Sequence, residues 1–375
     1  MIKRTKMPSL AVKNLLAEKT RLLISVGGVA LSVLIILVII SLYSGWKDLI
    51  ANYIRSIPVD FWVTQEGAAD MSHSVSILPS SLKGTLEQIA GVGEVHRLVG
   101  RQISLDVKGE EVHLRVFGYD TQTGIGGPPR MLRGKNTPSR GEIVIDRVFA
   151  QENKLNVDDE LTIADRTFKV VGISDDGNYI FAQLAFIPIE DAEDLFEMQV
   201  FTNWFLVKAK AGEDLASLKV RLEDLTSGLT VSPKQEFLEE NQKLVTETFL
   251  PIIGVLVFIS FLVGVAVVGL TVYTATIEKS REYGVLKALG ASNSYLYRTI
   301  IIQSLISGVL GFILGTALSY GVNYVAIYFV PEFVTKVRIP DVIGVFGAVV
   351  VMSIIASYIP IRRIAQIDPM KVFKS

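Results

Sequence analysis

The chain has 375 residues, half of them hydrophobic and only 20% charged, with a mean hydropathy of +0.42. That composition excludes a disordered chain and falls below the roughly 25% charge of ordinary soluble domains. A formal net charge of −1 gives no basic excess for nucleic acid, and the lack of cysteine excludes disulfides, thiolate metal sites and cysteine nucleophiles.

Residues 1–21 carry Lys3, Arg4, Lys6, Lys13, Lys19 and Arg21 against Glu18, a net +5, and read as an amphipathic N-terminal segment. Residues 22–46 contain no charge. About 20 apolar residues cross a bilayer, so this is span one. It is too long for the apolar core of a signal peptide, and no A-x-A-like site follows, so it reads as a retained anchor.

Residues 47–247 hold 21 basic and 32 acidic residues, net −11. Residues 60–65 read as a strand, and 80–90 has helical spacing in Leu82, Leu86 and Ile89. Residues 101–107 and 111–117 alternate around Lys108-Gly109, a hairpin pattern. Short strands follow at 142–145, 160–163, 168–173 and 203–210. A helix with Leu215, Leu218, Leu222 and Leu225 on one face covers 211–227, and a closing strand 229–232. The Gly- and Pro-rich stretch 121–140 reads as a boundary loop. It divides the domain into a lobe of 60–120 with 201–232 and a β-rich insertion over 121–200. Residues 233–247 form a polar helical stalk, with 46–56 as its partner; a continuous helix carries motion across a membrane.

Within this domain, the acid-rich stretch Glu190, Asp191, Glu193, Asp194 and Glu197 suits a solvated helix face better than a cation site. Met71 lies two residues before His73, a donor pair for copper or haem iron. The three histidines, His73, His96 and His113, lack ligand spacing, so no metal site is expected.

Charge-free runs at 248–277, 299–331 and 342–361 place spans two, three and four at 248–275, 299–330 and 342–361, with a short loop at 331–341. Residues 274–298 are net +2 and the tail 362–375 net +3. The positive-inside rule puts both termini and the 276–298 loop in the cytoplasm and 47–247 outside. The fold class is therefore an α-helical membrane protein with four transmembrane helices and a two-lobed α+β extracytoplasmic domain between helices 1 and 2. No span carries a charge at its centre, which argues against a proton or sodium antiporter and against a secondary transporter. Ser304, Gly308, Gly311 and Gly315 in span three let helices approach closely, either within the four-helix unit or against another subunit.

Residues 276–292 are amphipathic. Tyr283, Val285, Leu286 and Leu289 form an apolar edge, Glu278, Arg281, Glu282 and Lys287 are polar, and Gly290 is a C-cap. This reads as an interfacial helix or a docking helix for a partner. Phosphate-loop, zinc-protease and serine-hydrolase motifs are absent, so no catalytic residue, bound cofactor or enzyme activity is expected of this chain.

The segment 281–292, REYGVLKALGAS, resembles the cytoplasmic helix of FtsX-like permeases, the ABC group that includes macrolide-exporter and lipoprotein-release permeases. The ending 360–371, PIRRIAQIDPMK, is similar to their tail, and GEIVID at 141–146 with LNVDDELTI at 155–163 resembles their MacB-like periplasmic core domain. The resemblance implies a homodimer in a bacterial inner membrane, in lipid, with two cytoplasmic ABC ATPase subunits that bind ATP and Mg; an extracytoplasmic adaptor protein is a further partner it admits. With only 21 residues before span one, the ATPase is expected on a separate chain. Arg281, Glu282, Tyr283, Leu286 and Leu289 would contact the ATPase and Gly290 would shape the turn, so Leu286→Asp or Gly290→Pro is expected to uncouple it. ATP binding would move the outside domains and export or extract a drug, peptide, lipoprotein, lipid or haem. The alternative is a non-transporting transmitter that regulates an extracytoplasmic hydrolase or sensor kinase.

Overall fold

The computed structural model describes residues 18–68, 70–71, 75–107, 109–175, 178–179, 182–225, 228–329 and 334–365. The chain divides into two compact units, Trp46–Thr248 and, from either side of it, Met1–Gly45 with Phe249–Ser375. Helix α1 (Lys19–Ser56) supplies residues to both.

After α1 come β1 (Phe61–Gln65), β2 (Leu78–Pro79), α2 (Leu82–Glu87) and the long β3 (Val92–Val107), which returns through Gly109 into β4 (Glu110–Tyr119). Gly109 sits at φ 89°, open to glycine because it has no Cβ. Then follow β5 (Arg130–Gly134), β6 (Glu142–Asp146), α3 (Arg147–Glu152), β7 (Glu160–Ile163), β8 (Arg166–Asp175), β9 (Asn178–Tyr179), β10 (Ala182–Pro188) and α4 (Ile189–Phe196). The unit closes with β11 (Phe201–Thr202), β12 (Trp204–Ala209), α5 (Leu215–Leu225) and β13 (Leu229–Pro233).

Among the described residues eleven strands form one sheet in the order β13-β1-β12-β3-β4-β10-β6-β8-β5, with β7 on β8 and β9 on β10. Strands β13, β1, β12 and β3 are antiparallel. With α2 and α5 between them they make a β-α-β-β-α-β arrangement. The insertion joins it edge to edge, because β10 pairs in parallel with β4 from Gln183↔Leu114 to Pro188↔Tyr119. The two lobes are therefore halves of one sheet. Strand β4 runs ten residues to Tyr119 before the Gly- and Pro-rich stretch begins, which leaves its far edge open for β10.

Each half has its own core. Phe61, Val63, Leu86, Val95, Phe205, Leu218, Leu222 and Val231 fill one; Val116, Ile145, Phe149, Val170, Ala185, Ile187 and Phe196 fill the other. Helix α5 buries Leu218 and Leu222 but leaves Leu215, its first residue, exposed; the side chain of Leu225 lies outside the described residues.

The last turns of α1 and the first turns of α6 (Lys234–Glu278) are fastened inside this unit. The buried Tyr53 hydroxyl donates to the Gly126 carbonyl at 2.7 Å, and its ring stacks on Phe117 at 4.8 Å. Trp62 stacks on Phe237 at 4.5 Å. Lys234 Nζ donates to the carbonyl of Arg55 (2.8 Å), in the last turn of α1 where carbonyls lack a partner within the helix, and to that of Ile57 (2.6 Å) just past it. Gln242 Nε2 donates to the Lys47 carbonyl at 2.9 Å, tying the two helices together.

The other unit continues with the remainder of α6, α7 (Ser280–Ala288), α8 (Asn293–Phe329) and α9 (Ile339–Ala365). Among the described residues four helices are long and apolar enough to cross a membrane: α1, α6, α8 and α9. Helix α6 has 45 residues and carries Pro251 without ending there. Val29, Val33, Ile36, Val268, Val272, Ile300, Val345 and Val349 pack at the centre of this unit. The large apolar side chains left open on α6, such as Leu256, Phe258 and Leu262, suit a lipid solvent that has no water to shed.

Tyr53→Phe removes a buried donor and strands the Gly126 carbonyl, an expected loss of about 1–3 kcal/mol. Gly100→Ala brings a Cβ to 2.5 Å from the Phe117 ring and should also destabilise the unit. Both are read as a lower thermal unfolding midpoint of the purified chain.

Candidate functional site: the helix between spans two and three

Helix α7 is a short amphipathic element set between two spans. Helix α6 ends at Glu278, and the chain restarts one residue later, with the Tyr283 N–H bonding the Lys279 carbonyl at 3.0 Å. At its other end the Ala291 N–H bonds the Leu286 carbonyl (2.9 Å) and the Gly290 N–H the Lys287 carbonyl (3.0 Å). With Gly290 at φ 91°, these are the two bonds of a Schellman cap.

One face of α7 belongs to the chain's own core. Tyr283 is 3% exposed and packs with Val272, Leu296, Ile300 and Ile364, and Leu286 leans half-buried on the same cluster. Burial, with smaller contributions from Glu282 and Glu18, pushes the Tyr283 hydroxyl up to about 12. Lys287 Nζ donates to the Ile364 carbonyl at 2.8 Å and reaches that of Ala365 at 3.4 Å, the last carbonyls of α9. Glu18 pairs with Lys279 at 3.0 Å and with Arg21 at 2.6 Å, and Arg21 pairs with Glu278. The helix is thus held to the ends of α1, α6 and α9.

The opposite face is open. Arg281, Glu282, Val285, Ala288 and Leu289 are exposed, Leu289 by 73%. Of the residues expected to meet a partner, Arg281, Glu282 and Leu289 lie on this open face together with Val285, whereas Tyr283 and Leu286 face inward. Tyr283 and Leu286 are one turn apart, as are Val285 and Leu289, so α7 has two apolar stripes. Spacing alone does not say which one the chain keeps.

The small residues of α8 make close contacts inside this chain. Ser304 Oγ accepts from Ser357 Oγ of α9 at 2.9 Å. A Cβ on Gly308 would collide with Ser353 Oγ of α9; on Gly311 and Gly315 it would come within 2.5 Å of Val29 Cβ and of the Ala30 carbonyl of α1.

Residues 22–225 match the MacB-like periplasmic core domain, and residues 254–369 match the FtsX-like permease C-terminal family. The chain belongs to the MacB/FtsX type of ABC transporter permeases. An uncharacterised ABC transporter permease of Methanocaldococcus jannaschii is 24% identical, covering 97% of this chain and 96% of the relative. One from Mycobacterium bovis is 21% identical, covering 97% and 98%. The probable syringafactin export ATP-binding/permease protein SyfD of Pseudomonas syringae is 20% identical over 95% of this chain, which spans only 57% of that relative. Among solved structures, the periplasmic region of MacB from Actinobacillus actinomycetemcomitans aligns with a TM-score of 0.39 at 16% identity, covering 52% of this chain and 96% of that one.

In this permease the Trp46–Thr248 unit is the extracytoplasmic domain, and the described histidines and several of the acids singled out in its sequence are committed to the fold. His96 is buried, its Nε2 3.1 Å from Glu94 and its Nδ1 3.3 Å from the Thr123 hydroxyl. His113 Nδ1 lies 2.9 Å from the Ser104 hydroxyl. Met71 is buried, its N–H bound by Asn241 and its carbonyl by Arg115. His73 lies outside the described residues. Among the described residues no three His, Asp or Glu side chains cluster to hold a metal ion. The acid-rich stretch is solvated only in part: Glu190 and Glu197 are exposed, but the acids between them are paired. Asp191 is buried and accepts from the Gly141 N–H at 2.7 Å, Glu193 pairs with Arg97 at 2.5 Å, and Asp194 takes Arg140 at 2.5 Å and Arg166 at 3.4 Å. The arginines come from distant segments, so the run of acids looked unpartnered along the chain.

Gly315→Leu is expected to disrupt α1–α8 packing and lower the unfolding midpoint, whereas Gly321→Leu, where a Cβ meets nothing within 4 Å, should fold normally. Arg140, followed by Arg166, holds the Asp194 carboxyl below its ordinary range. Its contribution is present above the unfolded value of about 3.9 and is lost as pH falls through the folded value. Asp194→Asn should therefore melt below wild type at neutral pH, with the gap closing as pH falls through that lowered value.

Proposed function

We propose that this permease is the membrane subunit of an export or extraction system, and that cytoplasmic ABC ATPase subunits dock on the open face of α7. The observation that carries this reading is Leu289, a large apolar side chain 73% exposed beside Arg281, Glu282 and Val285 on a helix otherwise bound to its own spans. A large apolar side chain on an anchored helix suits a partner of matching shape. The basic excess of residues 1–21, 274–298 and 362–375 supports a cytoplasmic position for both termini and for α7. The M. jannaschii and M. bovis relatives, named as permeases, are spanned almost end to end by this chain, whereas the relative named as an ATP-binding/permease protein is spanned by little more than half. The names of the first two, which mention a permease alone, support an ATPase on a separate chain, where ATP and Mg would bind. The naming of SyfD for export supports outward movement of substrate.

In this reading two copies of the permease pair with two ATPase subunits. Closure of the ATPases on nucleotide displaces α7. The displacement passes through Lys287 to the end of α9 and through Lys279 and Glu18 to α1. Helices α1 and α6 run unbroken into the extracytoplasmic domain, where Tyr53 and Phe237 hold them to the sheet. Movement of that domain then does the work on the substrate, with no path needed through the spans.

The test uses the permease expressed with candidate ATPases and purified in lipid. Leu289→Asp, and separately Arg281→Glu, should weaken the complex at least ~10-fold and remove permease-dependent ATP hydrolysis while membrane insertion and unfolding midpoint stay unchanged. Leu286→Asp sets a charge against the apolar cluster on which the half-buried Leu286 leans, and Gly290→Pro cannot adopt φ 91°, so both should lower the yield of folded protein instead. A Leu289→Asp permease that binds and couples like wild type overturns the reading.

A further inference from the structure

The extracytoplasmic domain carries a net charge of −11 over residues 47–247, yet one pocket in it is cationic. Its volume is about 250 Å³, smaller than the usual range for drug-sized ligands. The floor is apolar: Leu155 and Ile173 are each 8% exposed. Arg133 and Lys154 stand on its rim and form no ion pair among the described residues. Around them the other cations are occupied. Arg147, also on the rim, pairs with Asp175 at 3.1 Å and donates to Gln151 Oε1 at 3.2 Å, while Arg130 of the same strand as Arg133 also pairs with Asp175.

Two local irregularities put these side chains where they are. Strand β5 is the sheet's edge, and its pairing with β8 slips between Met131 and Arg133. Neighbouring side chains of a regular strand point to opposite faces; with the bulge, Leu132 and Arg133 line the same pocket. Lys154 follows α3 at φ 53°, with its N–H on the Gln151 carbonyl (3.3 Å) and the Leu155 N–H on that of Ala150 (2.8 Å). This is the left-handed position of a Schellman cap, where glycine is favoured and a β-carbon is strained. The chain keeps a lysine there at a cost in stability, and its side chain reaches the pocket.

We propose that this pocket binds a short acidic peptide segment. A carboxylate sits between Arg133 and Lys154, one aliphatic side chain rests on Leu155 and Ile173, and the amides of Gln151 and Asn156 on the rim serve the peptide backbone. A purely apolar ligand would leave both cations unused, and a simple inorganic anion would leave the floor uncovered. The proposal does not rest on ATP coupling, because binding is read on the permease alone.

The experiment is calorimetric titration of the full-length permease in detergent with peptides of composition Leu-Glu-Leu-Glu and Leu-Gln-Leu-Gln, each with free and with blocked termini. The acidic blocked peptide is expected to bind at least 10-fold more tightly than the neutral blocked one, with affinity falling as salt rises. If the acidic blocked peptide binds, the ligand is an internal segment of another protein; if a free terminal carboxylate is required, it is a free peptide. The double variant R133E/K154E should lose at least 10-fold in affinity at an unchanged unfolding midpoint. K154G should weaken binding while raising that midpoint, since it relieves the strained backbone, an outcome that a purely structural lysine would not give. Measurable and equal binding of acidic and neutral peptides, binding by R133E/K154E equal to wild type, or no binding of any acidic peptide at 1 mM, free or blocked, overturns the proposal.

Discussion

A membrane helix satisfies its own backbone everywhere except at its two ends, where up to four N–H groups of the first turn and four carbonyls of the last have no partner within the helix. The permease meets that constraint twice with a lysine supplied by another element. Lys234, the first residue of α6, donates to the Arg55 carbonyl in the last turn of α1 and to that of Ile57 just beyond it. Lys287 of α7 does the same for Ile364 and Ala365 at the end of α9. Each bond closes a helix end and also ties two elements into one mechanical piece. Charge-assisted donors are about twice as strong as neutral ones, so these ties are stiff relative to apolar contacts that slide.

The polar atoms inside the spans are handled in a different way. The hydroxyls of Ser260, Thr271, Thr276 and Ser353 each donate to the carbonyl one turn earlier in their own helix. A hydroxyl bound in this way asks nothing of a neighbour, and it leaves apolar and small side chains to make the interhelical contacts. Where helices do meet, glycine sets the distance: Gly311 and Gly315 let α8 approach the backbone of α1, while Gly321 faces open space. The spans are packed by shape, with few polar groups for a substrate to follow.

Much of this architecture was legible in the sequence because the bilayer imposes a signal that needs no partner. Charge-free runs located all four spans, and asymmetric charge separated the large loop from the short ones. The hairpin around Gly109 was legible for a similar reason, since the turn and both strands are neighbours along the chain. What was hidden depended on distant partners. The β4–β10 pairing joins Tyr119 to Pro188, and no local pattern states that register. Arg97, Arg140 and Arg166 neutralise α4 from three separate segments, so its acids read as a solvated face. In α7 the apolar spacing was correct but had two solutions, and only the cluster around Tyr283 distinguishes them.

That last ambiguity bears directly on the proposed coupling. A helix that transmits force must be gripped on one side and reachable on the other. Had Tyr283 been the docking residue, a partner would have to pull it from the core formed with Val272 and Ile364, and every docking event would cost the burial of an aromatic side chain, roughly 1.5–3 kcal/mol. With Tyr283 and Leu286 inward, the grip is permanent. Val285 and Leu289 can then gain or lose a partner without disturbing the fold beneath them. Gly290 serves the same division: its left-handed turn follows Leu289, the C-cap of α7, and starts the approach to α8, so the exposed stripe stops where the next span begins.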